Sequence, residues 1–188
     1  MFLSTASLLF ARNFLKHPRM LGSIIPSSRF LIRQLLGRVD WDTARVIVEF
    51  GPGVGSITAE ALRQMRPDAT MVAIEMNGDF VEMLKSTYRD PRLHVIEGSA
   101  ADVKNILRQL GITKADVVIS GIPFSTLPPG VAGEIVRSTH QVLAKGGLFL
   151  VYQFSSEVLR HLRKVFKEVV QAFEPLNILP ARLFYCRK

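Results

Sequence analysis

"RVIVEFGPGVGSITAEALRQM", residues 45–65, decides the fold. It opens with "RVIVEF" (45–50), a short β-branched, apolar run of strand length. Glycines at 51, 53 and 55 follow at once, and "SITAEALRQM" (56–65) then takes up helical periodicity until Pro67 stops it. Strand, glycine turn and helix in direct succession are the first half of a βαβ unit. Glycine lets the backbone turn sharply and approach a ligand closely, and the helix N-terminus offers free N–H groups.

Working outward, the alternation continues to the end of the chain. "TMVAIE" (70–75), "RLHVIE" (92–97), "ADVVIS" (115–120) and "GLFLVYQF" (147–154) read as strands. Helical segments lie at 79–89, near 102–110, near 130–143 and near 155–168. Two extended segments near 169–177 and 181–187 are separated by a short link, so they are expected to form an antiparallel hairpin. The prediction is an α/β chain with a seven-stranded, mainly parallel sheet and a C-terminal antiparallel hairpin. Residues 1–40 stand apart as an N-terminal helical extension, and 41–188 form the main domain. In the extension, Ser27 or Ser28 is placed to cap the helix "RFLIRQLLGR".

Composition narrows the class. A chain of 188 residues with 48% hydrophobic content and positive mean hydropathy has material for one domain with a full core. One cysteine, Cys186, excludes an internal disulfide and any cysteine-rich metal site, as suits a reducing cytoplasm. Net charge +8 points to a polyanionic partner, either nucleic acid or an anionic membrane face. The opening residues, "MFLSTASLLFARNFLKHPRM", are read neither as a signal peptide nor as a membrane span. Their basic residues follow the apolar part, and Arg12, Asn13 and Lys16 interrupt it. On a helical wheel Phe2, Leu3, Leu9, Phe10 and Phe14 share a broad apolar face, and Thr5, Arg12 and Lys16 fall on one narrow polar stripe. Such a helix suits a membrane interface or the surface of its own domain.

The loop "EFGPGVGS" (49–56) spaces its glycines G-x-G-x-G, and Ser56 stands where a dinucleotide fingerprint needs its third glycine. This resembles motif I of the class I S-adenosylmethionine-dependent methyltransferases, which share a Rossmann-like sheet. Glu75 ends the second strand, where an acid can accept both ribose hydroxyls. The resemblance implies that Glu49 holds the methionine amino group. In "EGSAAD" (97–102) the aspartate that usually meets the adenine amine is replaced by Ser99. Adenine contact is then expected from the Ser99 hydroxyl, the Ala100 backbone and packing by Met76. S-adenosylmethionine is the implied cofactor and S-adenosylhomocysteine its product.

"SGIPF" (120–124) follows the fourth strand and carries no acid, base or metal ligand. It aligns with the Asn/Asp/Ser-x-Pro-Tyr/Phe pattern of amino-group methyltransferases, and resembles the form found in ribosomal RNA adenine dimethyltransferases. Gly121 stands where those enzymes place asparagine. A planar base amine needs a fixed array of acceptors, so its loss argues against a nucleobase and leaves room for an aliphatic amine. The Ile122 carbonyl remains as an acceptor. Phe124 is either a face for a methylated cation or a core aromatic.

Taken with "HPRMLGSIIPSS" (17–28), "VEFGPGVGSIT" (48–58) and "EGSAADV" (97–103), the chain resembles the short bacterial phospholipid N-methyltransferases, which convert phosphatidylethanolamine stepwise to phosphatidylcholine. The resemblance implies that "GSIIPSS" (22–28), with Ile25, lids the methionine end of the cofactor, with Ser120 beside it. The ribosomal enzymes add a helical domain after the sheet, which this chain is expected to lack. The resemblance implies an enzyme at the inner face of the cell membrane, with a phospholipid substrate and no nucleic acid; a monomer is favoured and the oligomeric state is left open.

Three readings stay open: a lipid amine methyltransferase, an RNA adenine N-methyltransferase, and a binding module that kept the fold without the reaction. The attacking amine must be neutral, and a lysine-like amine has a pKa near ~10 that desolvation lowers. Tyr152, at the end of the fifth strand, is the candidate group for handling its proton, or a structural tyrosine. His140 is read as a packing or surface residue. No metal-ligand spacing, P-loop or nucleophile elbow is present.

Overall fold

The structure is a computed structural model that describes residues 27–188. The first helix, the Ile25 position and most of the expected lid lie outside the described residues.

The elements run α1 (Arg29–Leu36), β1 (Val46–Phe50), α2 (Ser56–Gln64), β2 (Thr70–Glu75), α3 (Gly78–Thr87) and β3 (Leu93–Glu97). They continue with α4 (Val103–Gln109), β4 (Ala115–Ser120), α5 (Val131–Val142), β5 (Leu143–Gln153), α6 (Leu159–Val165), β6 (Glu168–Glu174) and β7 (Ala181–Arg187). One sheet of seven strands has the order β3-β2-β1-β4-β5-β7-β6. β3 through β5 are parallel, while β7 runs antiparallel to both β5 and β6. The expected sheet and terminal hairpin are both present.

β1, β2 and β4 read as near-continuous apolar runs because helices cover both of their faces. On one face α4, α5 and α6 pack Ile106, Leu107, Val136 and Leu162 against Val48, Val118 and Phe149. On the other, α1 and α2 pack Leu31, Leu35, Ala61 and Leu62 against Ile47, Met71 and Ile119. The i,i+4 pair Leu31 and Leu35 is wholly buried. The Tyr185 hydroxyl donates to the Gln34 carbonyl at 3.1 Å. α1, read from sequence as part of the extension, is therefore built into the sheet's cover. Ser28 is its cap, with Oγ accepting from Leu31 N at 3.2 Å.

Three boundaries differ from the sequence reading. β5 begins at Leu143, and Gly146 (φ +78°) and Gly147, which look like a turn, lie inside it near a register irregularity against β4. α6 is shorter than expected. The β6–β7 link covers residues 175–180, longer than a tight turn.

Strand order reverses between β1 and β4, and the loops after these strands lie side by side. Gly51 N donates to Ile74 O (2.9 Å), and Gly121 N to Phe50 O (3.0 Å). In open parallel sheets that crevice is where ligands bind.

Candidate active site

The loop after β1 holds Gly51, Gly53 and Gly55 at φ of 66°, 56° and 80°. At Gly55 glycine is required twice over. Its backbone is left-handed, and a Cβ would lie 2.7 Å from both Leu84 Cδ2 and Tyr88 Cε2. The Tyr88 hydroxyl donates to the Gly55 carbonyl at 3.0 Å and pins the turn.

Glu75 closes β2 with its carboxylate against this loop, 6% exposed. It accepts from Gly53 N (3.1 Å) and Asn77 N (3.0 Å). Burial raises its pKa, and these backbone N–H groups partly offset the rise. Gly53, Asn77 and Met76 N–H groups take up part of the carboxylate's roughly four lone-pair sites, and the remainder can accept from the ribose.

Glu49 is deeper, 2% exposed, and accepts from Thr58 Oγ1 at 2.6 Å. Burial pushes its pKa up to about 7; Thr58 opposes that rise and the Glu75 charge adds to it. Thr58 escaped the sequence reading. Its signal was a polar side chain in the first turn of α2, on the helix face turned to the sheet.

A cavity of about 310 Å³ opens beside these groups. Gly51, Glu75, Met76, Ser99, Ala100 and Ile122, all anticipated, meet around it. Met76 is 71% exposed, an apolar side chain standing at the rim of an apolar cleft. Ser99 Oγ accepts from Ala101 N (3.2 Å), so its O–H proton remains available to a ligand. Leu127, Pro128, Val131 and Ile135 complete the wall and were not anticipated. Gly53, Gly55, Glu49 and Ser120 lie behind the lining rather than in it. Ser120 is fully buried, and its Oγ makes no hydrogen bond.

These residues fit S-adenosylmethionine. The cleft supplies apolar walls for a nucleoside, a buried acid for its ribose, and a glycine loop open to close approach. A second buried acid is suited to an ammonium group.

The loop after β4 bears on three expectations. Phe124 is 4% exposed and packs in the core from a single 3-10 turn, Phe124–Thr126, so its ring faces neither this cavity nor solvent. The Ile122 carbonyl already accepts from Gln153 Nε2, which leaves it one lone pair for an amine. The same amide accepts from Phe124 N at 3.1 Å, so the Gln153 side chain clamps the loop. Nor does Gly121 leave room: a Cβ there would meet Tyr152 Oη at 2.3 Å and Cζ at 2.8 Å. The phenol fills that space.

Burial pushes the Tyr152 pKa up to about 12, with the Glu49 and Glu75 charges adding to the rise and a hydrogen bond with Ser27 opposing it. Tyr152 therefore stays protonated near neutral pH and is not a base there. His140 stacks edge-on against Phe166 at 5.1 Å, in the packing role expected of it. Among the described residues no group of three or more His, Cys, Asp or Glu could hold a metal.

Fold and site together define a class I methyltransferase whose cofactor is S-adenosylmethionine. Residues 22–175 match the methyltransferase small domain, and the chain belongs to that family. The ornithine lipid N-methyltransferase of Singulisphaera acidiphila is 35% identical over 181 residues, covering 95% of this chain and 94% of that protein. Ribosomal RNA small subunit methyltransferase A of Mycoplasma capricolum is 29% identical over 128 residues, covering 68% of this chain but only 46% of its own length. Among solved structures, the 1,6-didemethyltoxoflavin N1-methyltransferase of Burkholderia thailandensis, with bound S-adenosylhomocysteine, matches all of this chain at TM-score 0.65 and 15% identity.

Proposed function

We propose that this chain methylates the amino headgroup of phosphatidylethanolamine, stepwise towards phosphatidylcholine, at an anionic membrane surface. One observation carries the reading. The loop after β4 has a glycine where a base-reading side chain would stand, and a protonated phenol occupies that space. A planar base amine finds no amide or acid there, whereas an aliphatic amine needs neither. Similarity over nearly the full length to a protein named for a lipid N-methylation supports the same class of acceptor. The match to the ribosomal enzyme covers less than half of that protein's length.

The chemistry asks little of side chains. When bound, the cofactor supplies a methyl on a sulfonium; transfer to the amine breaks the C–S bond, sulfur keeps the electron pair, and one proton leaves per methyl. Glu75 would hold the ribose and Glu49 the amino group, fixing the methyl near the β4 loop. The apolar walls exclude water and lower the amine's pKa, favouring its neutral, attacking form. Gln153 keeps the loop from shifting under the acceptor.

Membrane attachment is proposed through the apolar face of the first residues, with Arg12 and Lys16 towards anionic headgroups. Among the described residues no helix is long and apolar enough to cross a membrane. The protein would act as a peripheral monomer at the inner membrane face.

The test is methyl transfer from labelled cofactor to phosphatidylethanolamine vesicles, ornithine lipid vesicles and ribosomal RNA in parallel. Transfer to phosphatidylethanolamine is expected. Transfer only to ornithine lipid would change the headgroup, and transfer to RNA with none to lipid would overturn the reading.

A further inference from the structure

A second cavity, of about 180 Å³, lies on the far side of the β4 loop. Gly121, Pro123, Ser125, Tyr152, Phe154 and Ser155 surround it, together with the clamping amide of Gln153. Pro123 lines both this cavity and the larger one, so the two sites are separated by little more than that ring.

Its chemistry is distinctive. Among the described residues no charged side chain lines it. The Ser155 Oγ is buried without a hydrogen-bond partner, and such an atom is ordinarily satisfied by protein, water or ligand. Phe154 stands 36% exposed, an aromatic face left open beside the cavity, unlike the sealed ring of Phe124.

We infer that this cavity is the acceptor subsite and takes the terminal amine of a small aliphatic headgroup. The Tyr152 hydroxyl positions the nitrogen, and Phe154, not Phe124, is the aromatic beside the methylated cation. This rests on the lipid amine reading above.

Each feature bears on the choice of ligand. An uncharged site rejects the headgroup phosphate, so the amine end enters and the phosphate stays in water. It also disfavours an ammonium, so the free base is selected. A protonated phenol can accept one N–H of a primary or secondary amine while the nitrogen lone pair stays free to attack; the tertiary amine of the last step has no N–H and rests against Phe154. After methylation the product is a cation that no hydrogen bond can hold once it is quaternary, and an aromatic face then serves. Tyr152, one residue past the β4–β5 pair Ser120↔Val151, has the place that a side chain at Gly121 would otherwise take.

The experiment uses the full chain carrying Ser125→Cys, at an exposed position of the lining. The native Cys186 is fully buried and stays silent to a maleimide. Labelling is followed with S-adenosylhomocysteine present, with and without glycerophosphoethanolamine or adenosine monophosphate. Glycerophosphoethanolamine should slow labelling at least fivefold at this position, and adenosine monophosphate should not. Unchanged labelling by glycerophosphoethanolamine in a protein that methylates the lipid would overturn the subsite and spare the function. Protection in a protein that transfers no methyl to lipid would keep the subsite and remove the function. As a second readout, Phe154→Leu should raise KM for the dimethylated lipid at least fivefold with cofactor Kd within twofold, and an unchanged KM would remove Phe154's role.

Discussion

The phenol oxygen of Tyr152 occupies the position where a side chain on Gly121 would begin, 2.3 Å from an ideal Cβ there. The two residues are a single volume shared between neighbouring strands. Gly121→Ala must push the ring aside and should cost about 1–3 kcal/mol, the range for overpacking a filled site. Tyr152→Leu alone leaves a cavity, yet the double variant should be less destabilised than the sum of the two by about 1 kcal/mol or more. Urea unfolding of the four proteins measures this. Additive single effects would mean that the two positions do not compete for space.

Glu49 leads to a pH prediction whose sign follows from burial. Its folded-state pKa is raised from 4.5 to about 7, so the group contributes stability below pH 4.5 that is lost as pH rises through 7. The full span is on the order of 3 kcal/mol. The cofactor-free protein should therefore melt lower, relative to Glu49→Gln, as pH goes from 5 to 8. A cationic amino group favours the ionised carboxylate, so cofactor binding near pH 6 should release a proton and tighten with pH through 7. Titration calorimetry in buffers of different ionisation enthalpy reads the proton directly. Thr58→Val removes the hydrogen bond that lowers this pKa, and should move the midpoint upward.

Gln153 connects the ends of β5 and the β4 loop through one amide. Gln153→Leu keeps the volume and leaves Phe124 N and the Ile122 carbonyl without that partner. The expected cost is about 1–3 kcal/mol of stability. Methyl transfer should fall at least tenfold in kcat while cofactor Kd holds within twofold, because Gln153 does not touch the larger cavity. Equal losses in Kd and kcat would show that the clamp supports the whole cleft instead.

What the sequence disclosed and withheld follows one physical division. β1, β2 and Glu75 were legible because burial on both strand faces and a glycine turn are local patterns. Tyr152 was singled out, but its contact with Gly121 and the whole role of Gln153 were not legible, since their partners lie before α5 in the chain and the register that aligns Gly121 with Tyr152 is set by pairing of β4 and β5. Phe124 was ambiguous for a related reason. An aromatic after proline has the same sequence whether its ring faces a ligand or the core, and only packing against the sheet separates the two.

Cofactor binding and membrane binding are assigned to different parts of the chain and should separate by mutation. Glu75→Ala removes the acid that accepts from Gly53 N and Asn77 N, taking away both the ribose partner and part of the loop's support. Cofactor affinity should fall at least tenfold, about 1.4 kcal/mol, with sedimentation onto anionic vesicles unchanged. Deleting residues 1–14 should have the reverse effect, abolishing sedimentation while isothermal titration finds cofactor Kd within threefold. That deletion removes Arg12 along with the apolar face, so sedimentation of the full chain should itself weaken between 50 and 300 mM salt as the headgroup attraction is screened. Vesicle binding that survives the deletion would move attachment elsewhere on the surface, and the exposed Leu176 and Ile178 of the β6–β7 link would be the residues to change next.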